Sequence, residues 1–576
     1  TFDPQMPGQD KAFVKTITDR NGNKLDYTYT TIGDQRLLLS VKDLAKRELI
    51  FTYSRADNGK MQLDKVASSV GADLEFSYYP KAENGYDARV GMLKSFKREN
   101  FTETYDYRHL DADPSVNLST VIDANGNPTR YEYYNATEVP VDMGGHARGL
   151  DEHDLVRKVF YPSTSGNEFA EIKYIASSTE NKREITDLRS NKKTYTLNAL
   201  GNPIRLDEPE SKSTTFEWSA DMGEPDNLLR KKNDLATNAT WEYEYDAHGN
   251  LIKETDPYEK TTEHSWDQHF SVMLYRKEKN ANTLEQQLDS KGNVRIQTHT
   301  AVVDGSGADV VTKHTYGNAG PFFGALRTTT NGRSARTEFT YDDFGVIASV
   351  AEPEGSTTRY ENNNRGLRLS ATDANGNTAT YEYDDLDRLT KTIDAENNST
   401  TYVYDNKGNK KSEEIRDSYM VDGTKQNRYL KLAYTYDPRD RVSAVRRTGN
   451  LDGSYSIDGD KTYTYDANSN LLTESDWKGK STTHTYDKLN RRLSTKNRAD
   501  NSMTYSYVFN NGLQTTITDY AGRVTTEYAD KLGRKTKIVH PAVNNIDGSS
   551  GSYERVMTYD NLENVITLRD ENGNTT

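Results

Sequence analysis

Residues 372–394 read TDANGNTATYEYDDLDRLTKTID, and residues 395–417 read AENNSTTYVYDNKGNKKSEEIRD. The second tyrosine of the Tyr-x-Tyr motif is Tyr383 in the first stretch and Tyr404 in the second, a separation of 21 residues. The same step of 21 recurs elsewhere in the chain: from Tyr465 to Tyr486, Tyr507 and Tyr528, from Tyr245 to Trp266, and from Tyr174 to Tyr195. Self-similarity at a fixed period is the signature of a repeat architecture, so the sequence predicts an array of one small unit.

Each unit carries the signals for two strands and two turns. The alternating segment 380–383, Thr-Tyr-Glu-Tyr, places both tyrosines on one face of a strand. Asn-Gly pairs such as Asn375-Gly376 precede several of these strands, and we interpret them as hairpin turns in which both residues accept positive φ. The polar segment 246–250, Asp-Ala-His-Gly-Asn, predicts a second turn, in which Asp bonds backbone N–H groups and Gly is left-handed. Two strands of about 5–7 residues and two short turns account for the period.

The second strand of the unit indicates how the sheet meets solvent. In Leu389–Ile393 one face carries Leu, Lys and Ile, and in residues 251–255 (LIKET) neither face is purely apolar. A sheet packed on a dry core should alternate apolar with polar residues. The pattern therefore favours a single-layer sheet that is wetted on both faces, and no segment shows a helical apolar stripe over three turns. We predict an all-β protein with very little helix.

Composition limits the classes of function. Of the 576 residues, 33% are hydrophobic and 28% are charged, but the 39 Tyr against 15 Phe and 4 Trp favour a folded β protein over a disordered one. Cysteine is absent, which excludes disulfides, thiolate metal sites and cysteine nucleophiles. The net charge of −14, with both signs interspersed, disfavours nucleic acid or an anionic membrane as the main partner. The sequence contains no run of about 18 apolar residues that would span a membrane.

Some spacings are longer than the period. Tyr404 to Tyr436 is 32 residues and Tyr436 to Tyr465 is 29. The added segments carry Asp-Gly turn signals, and we interpret them as lengthened hairpins; such pairs stand at 304–305, 422–423, 452–453 and 547–548. We expect one continuous array, with divergent repeats and long hairpins in residues 1–200 and regular repeats in residues 201–576.

The motif Tyr-x-Tyr-Asp-x-x-Gly-Asn/Arg-Leu resembles the YD repeat of Rhs proteins, toxin-complex C and B components, wall-associated proteins and teneurins. Its best copies are residues 243–251 (YEYDAHGNL) and 381–389 (YEYDDLDRL). The resemblance is strong from about Gly201 to the end and looser from Lys11 to Leu200. The predicted structural repeat residues are Tyr245, Asp246, Gly249, Tyr341, Asp342, Tyr383, Asp384, Tyr404, Asp405, Gly408, Tyr436, Asp437, Tyr465, Asp466, Tyr486, Asp487, Tyr559 and Asp560.

The resemblance implies a spiral of β-hairpins that forms a curved, hollow shell. In toxin members such a shell encloses a C-terminal effector, and in teneurin-like members it presents adhesion surfaces. The chain lacks the aspartyl self-cleaving motif of toxin members, so it is expected to be a middle segment, with an open or partial shell. We expect a secreted or surface-exposed bacterial protein whose partners are a C-terminal effector domain outside this chain or neighbouring shell segments. The alternative is an extracellular adhesion or carbohydrate-binding array.

The sequence offers few other candidate sites. His146 and His153, with Asp151, Glu152 and Asp154, form one dense cluster of potential metal ligands, but their spacing matches no zinc motif. His264 and His269 flank Asp267 and are read as structural. The runs 123–127 and 373–377 (both DANGN) have the glycine too early for an EF-hand loop, and turn chemistry explains them. We expect no enzyme activity, no catalytic residue, no cofactor and no bound metal.

Overall fold

The protein is described by a computed structural model. It covers residues 13–57, 59–80, 89–109, 116–134, 155–163, 168–176, 181–219, 227–279, 282–300, 309–317, 324–422, 424–450, 458–541, 543–544, 550–551, 553–560, 563–570 and 573–576.

The chain folds into β-strands joined by short turns. The strands before residue 200 are β1 (Thr16–Thr18), β2 (Lys24–Ile32), β3 (Gln35–Asp43), β4 (Glu48–Arg55), β5 (Met61–Ser68), β6 (Leu74–Tyr78), β7 (Leu93–Arg98), β8 (Phe101–His109), β9 (Val116–Ile122), β10 (Pro128–Tyr133), β11 (Val156–Phe160), β12 (Phe169–Ala176), β13 (Asn181–Thr186) and β14 (Lys192–Leu197).

The central strands are β15 (Pro203–Asp207), β16 (Ser213–Trp218), β17 (Leu229–Asp234), β18 (Ala239–Tyr245), β19 (Leu251–Thr255), β20 (Thr261–Trp266), β21 (Met273–Lys277), β22 (Thr283–Leu288), β23 (Val294–Thr300), β24 (Val310–Tyr316), β25 (Leu326–Thr330), β26 (Arg336–Tyr341), β27 (Ile347–Ala351), β28 (Thr357–Asn362), β29 (Arg368–Thr372), β30 (Thr378–Tyr383), β31 (Leu389–Ile393) and β32 (Ser399–Tyr404).

The remaining strands are β33 (Lys410–Val421), β34 (Thr424–Tyr436), β35 (Val442–Asn450), β36 (Gly459–Tyr465), β37 (Leu471–Ser475), β38 (Ser481–Tyr486), β39 (Arg492–Lys496), β40 (Ser502–Phe509), β41 (Leu513–Thr518), β42 (Val524–Ala529), β43 (Lys535–Val539), β44 (Val543–Asn544), β45 (Ser550–Gly551), β46 (Glu554–Tyr559) and β47 (Val565–Arg569).

Strands pair antiparallel with their neighbours in the chain, as the period predicts. For example, β29 pairs with β30, β30 pairs with β31, and β31 pairs with β32. β44 and β45 form a separate 2-stranded sheet, and β43 pairs with β46 instead. No α-helix occurs in the ranges given above, so the prediction of an all-β protein is confirmed. Within those ranges, no helix has the length and hydrophobicity needed to cross a lipid bilayer.

The chain divides into two compact units. Unit 1 contains residues 1–130, 287–297 and 310–459, and unit 2 contains residues 131–286, 298–309 and 460–576. Each unit therefore combines an earlier and a later stretch of the chain. In a hairpin array each repeat contacts mainly its immediate neighbours. Contacts between the two stretches of one unit must therefore come from residues outside the regular strand pairing.

The sheet buries few side chains completely. Among the described residues, the buried apolar side chains are Val66, Ala239, Leu284 and Val445. Ten buried residues are polar, among them Asp256 and His484. In β30 the alternation places Tyr381 and Tyr383 on a half-buried face, whereas Thr380 and Glu382 on the other face are exposed. The expectation of a sheet with few dry positions is confirmed, and the tyrosine face is the better protected one.

The longest hairpin lies at one of the long spacings. β33 and β34 pair from Ser412↔Ala433 to Val421↔Thr424. The flanking strands end earlier, because β32 starts opposite Arg416 and β35 ends opposite Tyr429. This insertion is a lengthened hairpin, as interpreted from the sequence. The Asp-Gly pairs at 304–305, 452–453 and 547–548 lie outside the described residues.

Candidate functional site: the Tyr-Asp turns and their seams

The turn that follows each repeat tyrosine is organised by its aspartate. In residues 246–250 the Asp246 N–H donates to the Asn250 carbonyl at 2.9 Å, and the Gly249 N–H donates to the Asp246 carbonyl at 3.0 Å. Asp246 Oδ1 accepts from the backbone N–H groups of His248 and Asn250, both at 2.9 Å, and its Oδ2 accepts from Asn250 Nδ2 at 3.0 Å. Gly249 has φ +81°, a left-handed value that costs glycine little. The aspartate thus fixes a turn that a purely backbone hairpin would leave loose.

The last residue of the turn supplies a partner for the aspartate. Where it is asparagine, one side-chain amide bond forms, as with Asn250 and Asp246. Where it is arginine, a bidentate pair forms: Arg388 places Nε at 2.8 Å and Nη2 at 2.7 Å from Asp384 Oδ2. Arg491 donates through Nε to Asp487 Oδ2 at 2.6 Å. The Asn/Arg alternative in the motif therefore preserves one function, which is to close the carboxylate side of the turn.

The Asn-Gly pairs adopt a different turn from the one predicted. In residues 373–377 the Gly376 N–H donates to the Asp373 carbonyl at 3.1 Å, and Gly376 has φ +85°. Asn375 is not among the residues with positive φ, so only the glycine is left-handed. The loop is therefore a type I turn followed by a left-handed glycine, not a two-residue turn with positive φ at both positions. The reason is that Asp373 occupies the first position and caps the Asn375 and Asn377 N–H groups, both at 2.9 Å.

The repeat tyrosine is the last residue of its strand. Its hydroxyl donates to a backbone carbonyl of the preceding paired strand at Tyr341, Tyr404, Tyr436, Tyr486 and Tyr559. Tyr404 donates to the Leu389 carbonyl at 2.7 Å, and Tyr486 donates to the Leu471 carbonyl at 2.8 Å, both across 15 residues. β31 and β32 pair only from Lys391↔Thr401 to the return turn, so their other ends are splayed. The phenol of Tyr404 lies in the opening and satisfies the Leu389 carbonyl that the ladder leaves unpaired. Backbone groups without a partner are costly when buried, which explains why a hydrogen-bond donor is needed here.

At three positions without tyrosine, another side chain donates the equivalent hydrogen bond. Trp266 Nε1 donates to the Leu251 carbonyl at 2.7 Å, and Trp218 Nε1 donates to the Pro203 carbonyl at 2.8 Å, in both cases across 15 residues. Asn362 Nδ2 donates to the Ile347 carbonyl at 3.1 Å in the same arrangement. Asn362 is not among the repeat residues predicted from the sequence, although it lies 21 residues from both Tyr341 and Tyr383.

The predicted repeat residues lie at the ends of strands and in the turns that follow them. Tyr245, Tyr341, Tyr383, Tyr404, Tyr436, Tyr465, Tyr486 and Tyr559 each end a strand and coincide with a register shift in the pairing to the next strand. Asp246, Asp342, Asp384, Asp405, Asp437, Asp466, Asp487 and Asp560 each open the following turn, and Gly249 and Gly408 take positive φ. The predicted repeat residues therefore occupy equivalent positions at strand ends and in the turns that follow.

Within unit 1, turns from the earlier stretch contact turns from the later stretch. We call the turns that follow a repeat tyrosine tyrosine turns, such as 405–409, and the turns at the other end of the strands return turns, such as 123–127. Asn125 Nδ2 donates to Asp405 Oδ2 at 2.9 Å. Lys407 Nζ donates to Asp123 Oδ2 at 2.8 Å and also to Asp440 in the next tyrosine turn. We call this row of contacts between return turns and tyrosine turns the seam.

The seam charges are mutually stabilised. Burial alone would raise the pKa of Asp123, but the hydrogen bonds from Lys407 and from its own turn outweigh burial and lower that pKa. For Lys407, burial would lower the pKa, and the bonds to Asp123 and Asp440 reverse the effect and raise it. A lowered pKa for Asp123 and a raised pKa for Lys407 both favour the charged form of the side chain. The seam continues elsewhere in unit 1, where Arg98 Nη2 lies 3.1 Å from Asp387 Oδ2.

Unit 2 repeats the same arrangement with different residues. Arg189, in a return turn, donates through Nη1 to the Asp487 carbonyl at 3.0 Å and through Nη2 to the Tyr486 carbonyl at 3.1 Å. Its Nε lies 3.2 Å from Asp466 Oδ2. Asn468 Nδ2 donates to Asp187 Oδ2 at 2.6 Å. The seam partners in the two units are separated by 270 to 301 residues.

A cavity of about 270 Å³ lies on the unit 2 seam, between the turns 208–212 and 487–491. Its most deeply placed carboxylate, Glu208, is held by Lys193 at 2.7 Å and by Lys212 at 2.8 Å. Burial would raise the pKa of Glu208, but the two lysines outweigh it and lower the pKa. The charge of Glu208 is therefore neutralised by two lysines of its own stretch of the chain.

The other candidate sites have structural explanations or lie outside the described residues. Asp123 Oδ1 is occupied by N–H groups of its own turn, like that of Asp373. Asp267 caps the N–H groups of His269 and Phe270 at 2.9 and 2.7 Å. No group of three His, Cys, Asp or Glu side chains suited to a metal occurs in the described part of the chain. The cluster of His146, Asp151, Glu152, His153 and Asp154 falls within 135–154, outside that part.

Comparison with known proteins identifies the repeat. Residues 363–399, which contain β29 to β31 with two tyrosine turns and two return turns, match the RHS Repeat family. No curated protein matches the sequence. Among solved structures, the Tc holotoxin pore of Photorhabdus luminescens is 12% identical with a TM-score of 0.38, and 96% of this chain and 34% of that chain are covered. The TcdB2-TccC3 complex is 12% identical with a TM-score of 0.36, covering 96% of this chain and 35% of that one.

The chain thus spans about a third of the length of these solved structures. The matched segment has the same turn chemistry as the repeats around it: Asp373 and Asp384 each cap a turn, and Tyr383 ends the strand between them. The chain thus carries an RHS Repeat at residues 363–399, and the turn chemistry of that segment recurs in both units.

Proposed function

We propose that this chain is a wall segment of a large secreted or surface-exposed YD/Rhs-repeat shell, which encloses or presents a C-terminal effector domain that is not in this chain. The observation that supports the proposal is the seam. It joins an earlier and a later stretch of the repeat through polar turn contacts such as Lys407–Asp123 and Arg189–Asp466, without a dry core between layers. A sheet whose strand ends are joined by polar turn contacts, with water on both faces, is suited to separating two aqueous spaces.

The composition of the two faces supports the same role. One face carries alternating charges, as in the row Glu244, Lys253, Glu263 and Lys277, in which Lys253 lies 2.7 Å from Glu244. The tyrosine face is half-buried but still polar. We propose that the wall acts by steric enclosure and not by catalysis.

The test is protease protection in the natural, longer polypeptide. We expect the region downstream of the repeat to resist trypsin under native conditions and to become sensitive when the seam is weakened by the double variant Lys407→Met/Arg189→Met. The matched control is Lys391→Met, which removes a lysine from the sheet surface. Digestion of the downstream region at the same rate in the intact protein and as an isolated fragment would show that it is not enclosed.

A second candidate function is an adhesion or carbohydrate-binding array, which exposed aromatic rings favour. Tyr520 is 40% exposed and Tyr429 is 39% exposed. An aromatic ring with a polar tip can stack on a sugar while remaining soluble. Binding of the wild-type chain to a glycan array, lost in Tyr429→Ala/Tyr520→Ala, would support this function. Absence of binding to any glycan would leave the structural role.

A further inference from the structure

Three repeats carry histidine where the others carry their first aromatic residue. Two residues before the strand-ending residue, most repeats have an aromatic ring, as in Tyr381 before Tyr383. In β20, β24 and β38 this position is His264, His314 and His484, before Trp266, Tyr316 and Tyr486. The three side chains therefore stand on the protected tyrosine face, at equivalent register positions.

The surroundings of these histidines suit a neutral imidazole. His484 is buried, its Nδ1 lies 3.0 Å from Thr495 Oγ1 on β39, and its Nε2 is buried without a hydrogen bond. His314 Nδ1 lies 3.1 Å from Thr329 Oγ1 on β25. His264 Nδ1 is buried without a hydrogen bond. A neutral ring tolerates a buried nitrogen without a partner far better than an imidazolium does.

Charged side chains near His264 and His484 affect how easily these histidines are protonated. His264 faces Glu254 on β19 and Arg276 on β21, with which it is paired in register. His484 faces Glu474 on β37, whose Oε1 is 3.9 Å from Nε2, and Arg492 on β39. Burial lowers the pKa of all three, Arg276 and Arg492 lower it further for His264 and His484, and the two glutamates oppose the shift without reversing it.

We propose that His264, His314 and His484 form an acid-sensitive set, so that protonation between neutral pH and about pH 5 weakens the strand pairing of the wall at these three repeats. The sign follows from linkage. A histidine that is harder to protonate in the folded state contributes stability above its unfolded pKa, near 6.5, and that stability is lost as the pH falls through the folded value. This inference concerns the wall itself and does not depend on what the wall encloses.

The test compares urea unfolding of the complete chain at pH 7.5 and pH 5.0, monitored by tryptophan fluorescence. We expect the wild-type urea midpoint to fall between the two pH values, and the fall to be mostly abolished in His264→Tyr/His314→Tyr/His484→Tyr, which restores the usual aromatic residue. The matched control is His248→Gln/His269→Gln, two exposed histidines, and it should behave like the wild type. The comparison stays above pH 5 because the turn aspartates titrate below that range.

An equal fall in the wild type and the triple variant would overturn the proposal. If the triple variant does not fold, histidine-labelled wild-type protein gives a test without substitution. We expect three of the ten histidine resonances to titrate at lower pH than the rest, and each of the single variants His→Tyr at positions 264, 314 and 484 to remove one of them. Ordinary titration of all histidines would refute the inference while leaving the proposed enclosure function intact.

Discussion

Replacing Lys407 by methionine tests the seam most directly. The side chain places its ammonium between Asp123, at 2.8 Å, and Asp440. Lys407 is 24% exposed, Asp123 is 15% exposed and Asp440 is 28% exposed. An exposed ion pair contributes about 0–1 kcal/mol and breaking a fully buried one costs about 3–5 kcal/mol, so a site about three-quarters buried should lose about 1–3 kcal/mol. Methionine is unbranched and only one atom shorter than lysine, so the loss should be mainly electrostatic.

The assay is urea unfolding combined with hydrogen exchange. In Lys407→Met we expect a lower urea midpoint and faster exchange in both turns of the seam, 123–127 and 405–409, although they are far apart in sequence. The matched control is Lys391→Met. Its partner Glu382 is 59% exposed at 3.3 Å, so the loss should not exceed about 0.5–1 kcal/mol. Equal losses in the two variants, or faster exchange confined to 405–409, would refute the role of Lys407 in joining the two stretches.

The pH dependence gives an independent check. The pKa of Asp123 is lowered in the folded protein, so its stabilising contribution is present above the unfolded value and is lost as the pH falls through the folded value. Without Lys407 the part of that contribution that comes from the lysine is missing at neutral pH, whereas the hydrogen bonds from the turn remain. The difference in urea midpoint between wild type and Lys407→Met should therefore shrink below about pH 4, where carboxylates begin to protonate. A difference that stays constant from pH 7 to pH 3 would point to lost packing instead.

Three further substitutions test the repeat itself. Tyr486→Phe removes the donor to the Leu471 carbonyl and should cost about 1 kcal/mol by urea unfolding, whereas Tyr505→Phe, whose hydroxyl contacts only Met503, should cost less. Ser469→Gly relieves a left-handed residue at φ 72° and should raise the urea midpoint, equivalent to about 0.5–1 kcal/mol; a fall would contradict the strain. Asp487→Ala removes the caps on the Leu489 and Arg491 N–H groups and should cost about 1–3 kcal/mol, with Asp487→Asn intermediate.

The parts of the structure that depend on neighbouring residues could be predicted from the sequence. The alternation of Tyr381 and Tyr383 and the aspartate caps follow from chemistry within one turn or strand, and the period is visible as a repeat of these signals every 21 residues. The hairpin at Asn375-Gly376 was expected in the right place but with the wrong turn type, because the competing role of Asp373 two positions earlier was not considered. Local chemistry thus located the turns more reliably than it specified their backbone conformation.

The seam could not be predicted in this way. The partner of Asp123 is Lys407, 284 residues later, and nothing near either residue specifies that distance. It results from the summed twist and width of many intervening strands, in which small differences accumulate. The hydrogen-bonding role of the repeat tyrosine was also missed, although Trp218, Trp266 and Asn362 at its position all share a donor.

The long hairpin of β33 and β34 shows what the repeat can absorb during evolution and in engineering. Tyr436 donates to the Lys410 carbonyl at 2.7 Å across 26 residues, where the regular repeat uses 15. The register shift at Tyr436 and the pairing with β35 are those of an ordinary unit. Residues gained between these two anchors lengthen one return end and leave every neighbouring unit in place. A foreign peptide grafted between Val421 and Thr424 should therefore be displayed without disturbing the scaffold, and natural variants should gain and lose length at such ends first.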